Sequence, residues 1–123
     1  MPIGSDVVTK VSQKPPVVWI IDAEQWPRAY LRAELIERGF DAVGYLSVDD
    51  ALETISWRFP NLAVIELRGV ARREVELLFK AGVPVIGIVS HPAPDWLGDF
   101  PWATLLHRPV SIGEIADAVG SGL

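Results

Sequence analysis

The run Val17-Val18-Trp19-Ile20-Ile21 is apolar at five successive positions and stops at Asp22. A strand with one face in water alternates apolar and polar residues. A strand that is apolar throughout needs cover on both faces, which is the situation of a parallel sheet between two layers of helices. Similar runs return over 62–67 (Leu-Ala-Val-Ile-Glu-Leu) and 83–89 (Val-Pro-Val-Ile-Gly-Ile-Val), with shorter ones over 40–46 and 103–107. Parallel neighbours cannot be joined by tight hairpins, so each gap must hold a crossover.

The gaps carry helix signals. Pro27 stands where a first helical turn tolerates it, Leu31 and Leu35 share a face, and Gly39 offers a left-handed stop, which predicts a helix over 27–38. Ser47-Val48-Asp49-Asp50 has the form of a capping box and opens a helix through Ala51, Leu52 and Ile55 that ends before Pro60. A helix over 71–80 turns Val75, Leu78 and Phe79 inward, with Gly82 as its cap. The segment 91–101 holds three prolines and a glycine and is expected to be irregular, with one helical turn at most. Ser111-Ile112-Gly113-Glu114 is a second capping box, opening a helix through Ile115, Ala116 and Val119. Strand and helix thus alternate about five times. Right-handed crossovers turn that pattern into a doubly wound, three-layer α/β sandwich whose fourth helix is short or irregular. Residues 1–16 mix Gly, Ser, Lys and Pro without periodicity and read as a flexible leader or linker. The domain is expected over 17–120.

Composition narrows the function. With 123 residues, half of them hydrophobic, the chain suits one domain with a substantial core. Eleven Lys and Arg stand against sixteen Asp and Glu, and no basic run could neutralise a phosphate backbone, so direct nucleic-acid binding is not expected. No apolar run approaches the ~20 residues that span a bilayer, and no signal-peptide core opens the chain, so a cytoplasmic protein is expected. The chain has no cysteine, which excludes disulfides and thiol catalysis, and its two histidines, His91 and His107, are too few for most metal clusters. Neither a cofactor nor a dedicated metal site is expected.

In doubly wound sheets, ligands bind beyond the carboxyl ends of the strands. The first strand is followed there by Asp22, Ala23 and Glu24, and the third ends in Glu66. The fourth ends in Val89, Ser90 and His91, and the last in His107, Arg108 and Pro109. A carboxylate at the end of a buried strand is costly unless it neutralises, pairs or binds a cation, and Arg108 is the partner this topology would bring to Glu66. Ser90 beside His91 lacks a placed acid and reads as loop chemistry rather than a catalytic pair. The chain has five tryptophans. Trp19 reads as core, whereas Trp96 and Trp102 fit either a protein interface or a filling for the missing fourth helix.

Several stretches together resemble the receiver domain of bacterial two-component response regulators. Val-Trp-Ile-Ile-Asp-Ala-Glu is similar to the family's first strand and acidic pair, and Gly39-Phe40 through Ser47-Val48-Asp49-Asp50-Ala51-Leu52 to its second strand and following helix. Pro60-Asn61-Leu62 through Glu66 resembles the strand that carries the phosphoacceptor. Pro84-Val85-Ile86 is similar to the fourth strand and Arg108-Pro109 to the Lys-Pro pair. The resemblance implies a flavodoxin-like five-stranded sheet in the order 2-1-3-4-5 and a cis bond before Pro109. It also implies a role in phosphorelay signalling through a protein partner or a linked effector or sensor domain. A homodimer through the last strand and last helix is a further implied possibility.

The residues depart from that pattern in a consistent direction. Asp22 matches the first acid, but Ala23 stands at the second. Glu66 stands at the acceptor aspartate, Val89 at the hydroxyl that senses the phosphoryl group, Leu105 at the aromatic switch and Arg108 at the lysine. Mg²⁺ asks for near-octahedral oxygens at ~2.1 Å, so only weak residual binding at Asp22 and Glu66 is expected. Arginine can grip Glu66 bidentately, which lysine cannot. The expectation is a non-catalytic pseudo-receiver with a degenerate site at Asp22, Ala23, Glu24, Glu66, Val89, Ser90, Leu105, Arg108 and Pro109. Whether Glu66 only seals that site or also imitates a phosphorylated state stays open. Two alternatives also stand: a receiver phosphorylated on Glu66, and a small-cofactor binder of flavodoxin type. The second is opposed by Asp22-Ala23-Glu24-Gln25, which offers no glycine-rich phosphate loop.

Overall fold

A computed structural model describes residues 14–123. Most of the leader expected over 1–16 therefore lies outside the described residues. Five strands, β1 (Val17–Ile21), β2 (Asp41–Tyr45), β3 (Leu62–Glu66), β4 (Val85–Val89) and β5 (Thr104–His107), form one sheet in the order β2-β1-β3-β4-β5. All four pairings are parallel. This is the flavodoxin-like order, with the topological switch between β1 and β3. Four α-helices connect or follow the strands: α1 (Gln25–Glu37), α2 (Val48–Leu52), α3 (Arg72–Lys80) and α4 (Ile112–Ser121). The segment before β5 holds a single 3₁₀ turn, Leu97–Asp99, in place of a helix. Pro92, Pro94 and Pro101 withhold the backbone donors that a longer helix would need.

Period-two alternation divides the sheet between two cores. Val18, Ile20, Leu62, Val64, Ile86 and Ile88 face α1 and α4, where they meet Leu31, Leu35, Ile115 and Val119. Trp19, Ile21, Ala63, Ile65, Val85 and Val89 face the other way, against Val48, Ala51, Val75 and Leu78 of α2 and α3. β3 and β4 are buried at every position, which is why neither shows any polar alternation.

The termini of the helices obey local chemistry. α1 ends in a Schellman motif: Gly39, at φ 95°, donates its N–H to Ile36 O, and Phe40 donates to Leu35 O. Ser111 and Glu114 form the reciprocal capping box, at 3.0 and 3.1 Å. The helix opened by Ser47 is shorter than expected. Its regular part stops at Leu52, and 53–57 continues as turns in which Thr54, with a β-branched side chain, bonds its hydroxyl back to Ala51 O at 2.8 Å. The Arg108–Pro109 bond is cis, as the family resemblance implies, and so is His91–Pro92, which nothing in the sequence had marked.

Trp96 and Trp102 are half-buried and do not form an exposed interface. Trp102 donates Nε1–H to Leu97 O at 2.7 Å and meets Phe79 edge-on, while Phe79 stacks on Phe100. This aromatic cluster fills the volume of the missing helix. Trp57, in contrast, is 74 % exposed. Trp102→Ala is therefore expected to lower unfolding free energy by roughly 2–4 kcal/mol, through lost packing and one lost hydrogen bond. Trp57→Ala should change it by less than about 0.5 kcal/mol. Urea unfolding of the two variants checks the contrast, and equal losses would contradict the packing role.

Candidate functional site

Backbone bonds hold the ends of three strands in register where the polar groups gather. Asp22 N–H donates to Tyr45 O at 3.1 Å, Leu67 N–H to Ile88 O at 3.0 Å, and Arg108 N–H to Val89 O at 2.9 Å. Glu66 lies in phase with Leu62 and Val64, so its side chain leaves the sheet on the side of α1 and α4. Arg108 reaches it from the end of β5.

Glu66 is only 7 % exposed, and both of its oxygens are engaged. Oε1 accepts from Arg108 Nε at 2.9 Å and Nη2 at 2.8 Å. Oε2 accepts from the backbone N–H of Arg68 at 3.0 Å. Two guanidinium nitrogens grip the carboxylate, and both share one oxygen, because a main-chain donor already holds the other. A buried carboxylate with three such donors has replaced its hydration almost completely.

Asp22, 8 % exposed, is satisfied differently. Its Oδ1 accepts the N–H of Glu24 at 2.9 Å, closing the turn into α1, and its main-chain oxygen accepts from Arg28 Nη1 at 2.7 Å. Burial, the largest influence, pushes the Asp22 carboxyl above its usual value of 3.8. The Glu24 N–H pulls it down, the charges of Glu66 and Glu24 push it up, and Arg108 pulls it down.

Arg68 is the residue that sequence reasoning missed. Its Nη1 pairs with Glu24 Oε1 at 3.0 Å and its Nη2 meets Ser90 Oγ at 3.3 Å, so it ties the β1, β3 and β4 ends together. Its position two residues beyond Glu66, at the carboxyl end of a central strand, was the available signal. Ser90 consequently faces a guanidinium rather than a base. His91 stacks on His107 at 5.4 Å, and both rings are exposed.

Of the remaining expected residues, Val89 and Leu105 do not converge on Glu66. Val89 is fully buried and Leu105 half-buried, and both belong to the core of the opposite face. Leu105 and Trp102 close over Gly87, where an added Cβ would lie 2.9 Å from Leu105 Cδ2. Ala23 is exposed and lines a small pocket of about 110 Å³ with Asp22, Glu66 and Arg68. Pro109 is exposed and follows the ion pair. On the other side, a cleft of about 390 Å³ between α1 and α4 is lined by Asp22, Glu66 and Arg108 at its polar end.

The donor set does not fit Mg²⁺. Asp22 Oδ1 and both Glu66 oxygens already accept N–H groups, Ala23 has no oxygen on its side chain, and two guanidinium groups stand beside them. No group of three or more His, Cys, Asp or Glu suited to a metal occurs among the described residues. No helix among them is long and apolar enough to cross a membrane.

Comparison with solved structures identifies the fold. A response regulator receiver protein from Pseudomonas putida superposes with a TM-score of 0.77 at 19 % identity, over 89 % of this chain and 98 % of the other. A response regulator receiver domain protein from Methanospirillum hungatei JF-1 matches at 0.73 and 17 %, over 88 % and 93 %. The signal receiver domain of a modulated diguanylate cyclase from Desulfovibrio desulfuricans G20 matches at 0.73 and 18 %, over 89 % and 94 %. The chain has the fold of response regulator receiver domains. At the level of sequence, no family model and no curated protein matches it.

The raised proton affinity of Asp22 has a consequence for stability. Between pH 3.8 and its higher native value the folded protein binds more proton than the unfolded chain, so this group's contribution falls as pH rises through that window. Above the window its charge is a standing cost. Asp22→Asn keeps the Oδ1 acceptor, and it is expected to raise stability at pH 7, with the gain shrinking as pH falls toward 3.8. Urea unfolding over a pH series checks this. A loss at pH 7, or a difference independent of pH, would contradict it.

Proposed function

We propose that this chain is a pseudo-receiver of two-component signalling: a module with the receiver fold that works through protein contact without being phosphorylated. The observation that carries the reading is the occupied carboxylate of Glu66, held by Arg108 and by the Arg68 N–H at the position where the resemblance puts the phosphoacceptor. Phosphoryl transfer needs an accessible nucleophilic oxygen and a cation to spread the developing charge. Here both oxygens are engaged, and the cation is already consumed by the carboxylate itself. Val89, sealed in the opposite core, could not hydrogen-bond a phosphoryl oxygen, and Leu105 offers no ring to report one.

The module serves a larger signalling chain or complex in the cytoplasm, with a protein partner or a linked effector or sensor domain as its target. Supporting this, the receiver domain of a diguanylate cyclase has the same fold. The output surface is β5, the edge strand of the sheet, with α4 and the 92–101 segment. β5 is exposed at Thr104 and His107 and has no strand beyond it among the described residues, which also suits a homodimer.

Incubation with Mg²⁺ and acetyl phosphate, followed by intact mass measurement, tests the reading. The protein is expected to show no phosphoryl-sized gain. A gain that Glu66→Ala abolishes would establish a working acceptor instead.

A further inference from the structure

The cleft between α1 and α4 is built on a different plan from the sealed ion pair beside it. Leu31 of α1, Ile88 of β4 and Val110, Ile112 and Ile115 around the start of α4 make its wall apolar. Trp26 and Tyr30 form its rim. Their rings stack at 6.0 Å and 28°, yet they are 64 % and 58 % exposed. The polar end is formed by Asp22, Glu24 and Glu66 with Arg68 and Arg108.

Charge pairing at that end is incomplete. Arg108 is matched by Glu66 and Arg68 by Glu24, while Arg28 gives its Nη1 to a main-chain oxygen. Asp22 is left over. More than nine-tenths buried, its carboxylate receives one N–H, on Oδ1, and no ion pair reaches it among the described residues. A carboxylate that is withdrawn from water, lines an apolar cleft and has no ion-pair partner among the described residues suits a cation that arrives with apolar mass.

We propose that this cleft binds a small primary amine carried on an aromatic or branched aliphatic body. The ammonium group docks on the free Oδ2 of Asp22, and the body lies between Trp26, Tyr30 and the apolar wall. The exposed ring faces add attraction for a cation entering past them. A volume of about 390 Å³ falls in the range of small-ligand clefts. Arg108 does not repel the ammonium strongly, because Glu66 compensates it at 2.8 Å. An anionic ligand would meet Asp22, Glu24 and Glu66 with no unmatched cation to receive it. The inference rests on the cleft alone and holds whether or not Glu66 accepts phosphate.

Titration with 2-phenylethylamine, followed by calorimetry and tryptophan fluorescence, tests it, with 2-phenylethanol and 3-phenylpropionate as neutral and anionic counterparts. The amine is expected to bind saturably and roughly tenfold or more tighter than the alcohol, as a charge-assisted contact to a buried carboxylate allows, with the carboxylate ligand weakest. Asp22→Asn should erase the preference for the amine over the alcohol. Trp26→Ala, at an exposed position outside both cores, should weaken amine and alcohol alike. Absence of saturable amine binding, equal affinity for amine and alcohol, or a preference that survives Asp22→Asn would each overturn the proposal.

Discussion

A carboxylate at the end of a strand buried on both faces must find its counter-charges within the fold. Glu66 meets that requirement with three N–H donors, two from Arg108 and one from the main chain of Arg68. Each donor depends on something larger. The Arg108 side chain is in range only because β5 lies parallel to β4 and carries its backbone one step beyond the last strand residue, where Arg108 N–H reaches Val89 O. The Arg68 N–H is in range because β3 breaks just after Glu66. Removing one partner would leave a buried charge uncompensated, a larger penalty than the worth of the pair itself.

The two faces of the sheet divide the consequences. On the α1 and α4 side, Glu66 and Arg108 neutralise each other and Glu24 is matched by Arg68, so Asp22 is the buried carboxylate without an ion-pair partner among the described residues. On the α2 and α3 side, Val89 and Leu105 join an aromatic-rich core in which Phe79, Phe100 and Trp102 replace a helix. Val89 and Leu105 thus belong to packing. Under the proposed pseudo-receiver reading, an ion pair on one face and a packed core on the other suit a module that presents a fixed surface.

Much of this was legible in the sequence because the signals were local. Unbroken apolar runs announced strands covered on both faces, Gly39 and Gly82 marked helix ends, and Ser111 with Glu114 marked a beginning. The proline spacing in 91–101 correctly excluded a full helix. The pairing of Glu66 with Arg108 followed from topology, since both stand at carboxyl ends of strands. What could not be read was set by side-chain reach across elements. The one-oxygen grip depends on a main-chain donor whose position follows from the break after β3. Arg68 joins Glu24 and Ser90 over separations of 44 and 22 residues, a link no periodicity marks. The choice between exposed and buried was likewise decided for Trp102 by Phe79, a residue of the preceding helix, and for Trp96 by Phe100.

The central claim is that Glu66 and Arg108 form one energetic unit that closes the site. A double-mutant cycle on unfolding free energy, using Glu66→Gln and Arg108→Met singly and together, measures it directly. The account predicts a coupling of about 1–3 kcal/mol, with the double variant more stable than the sum of the single losses implies. Additive losses would show that the pair is incidental, and would contradict the closed-site account.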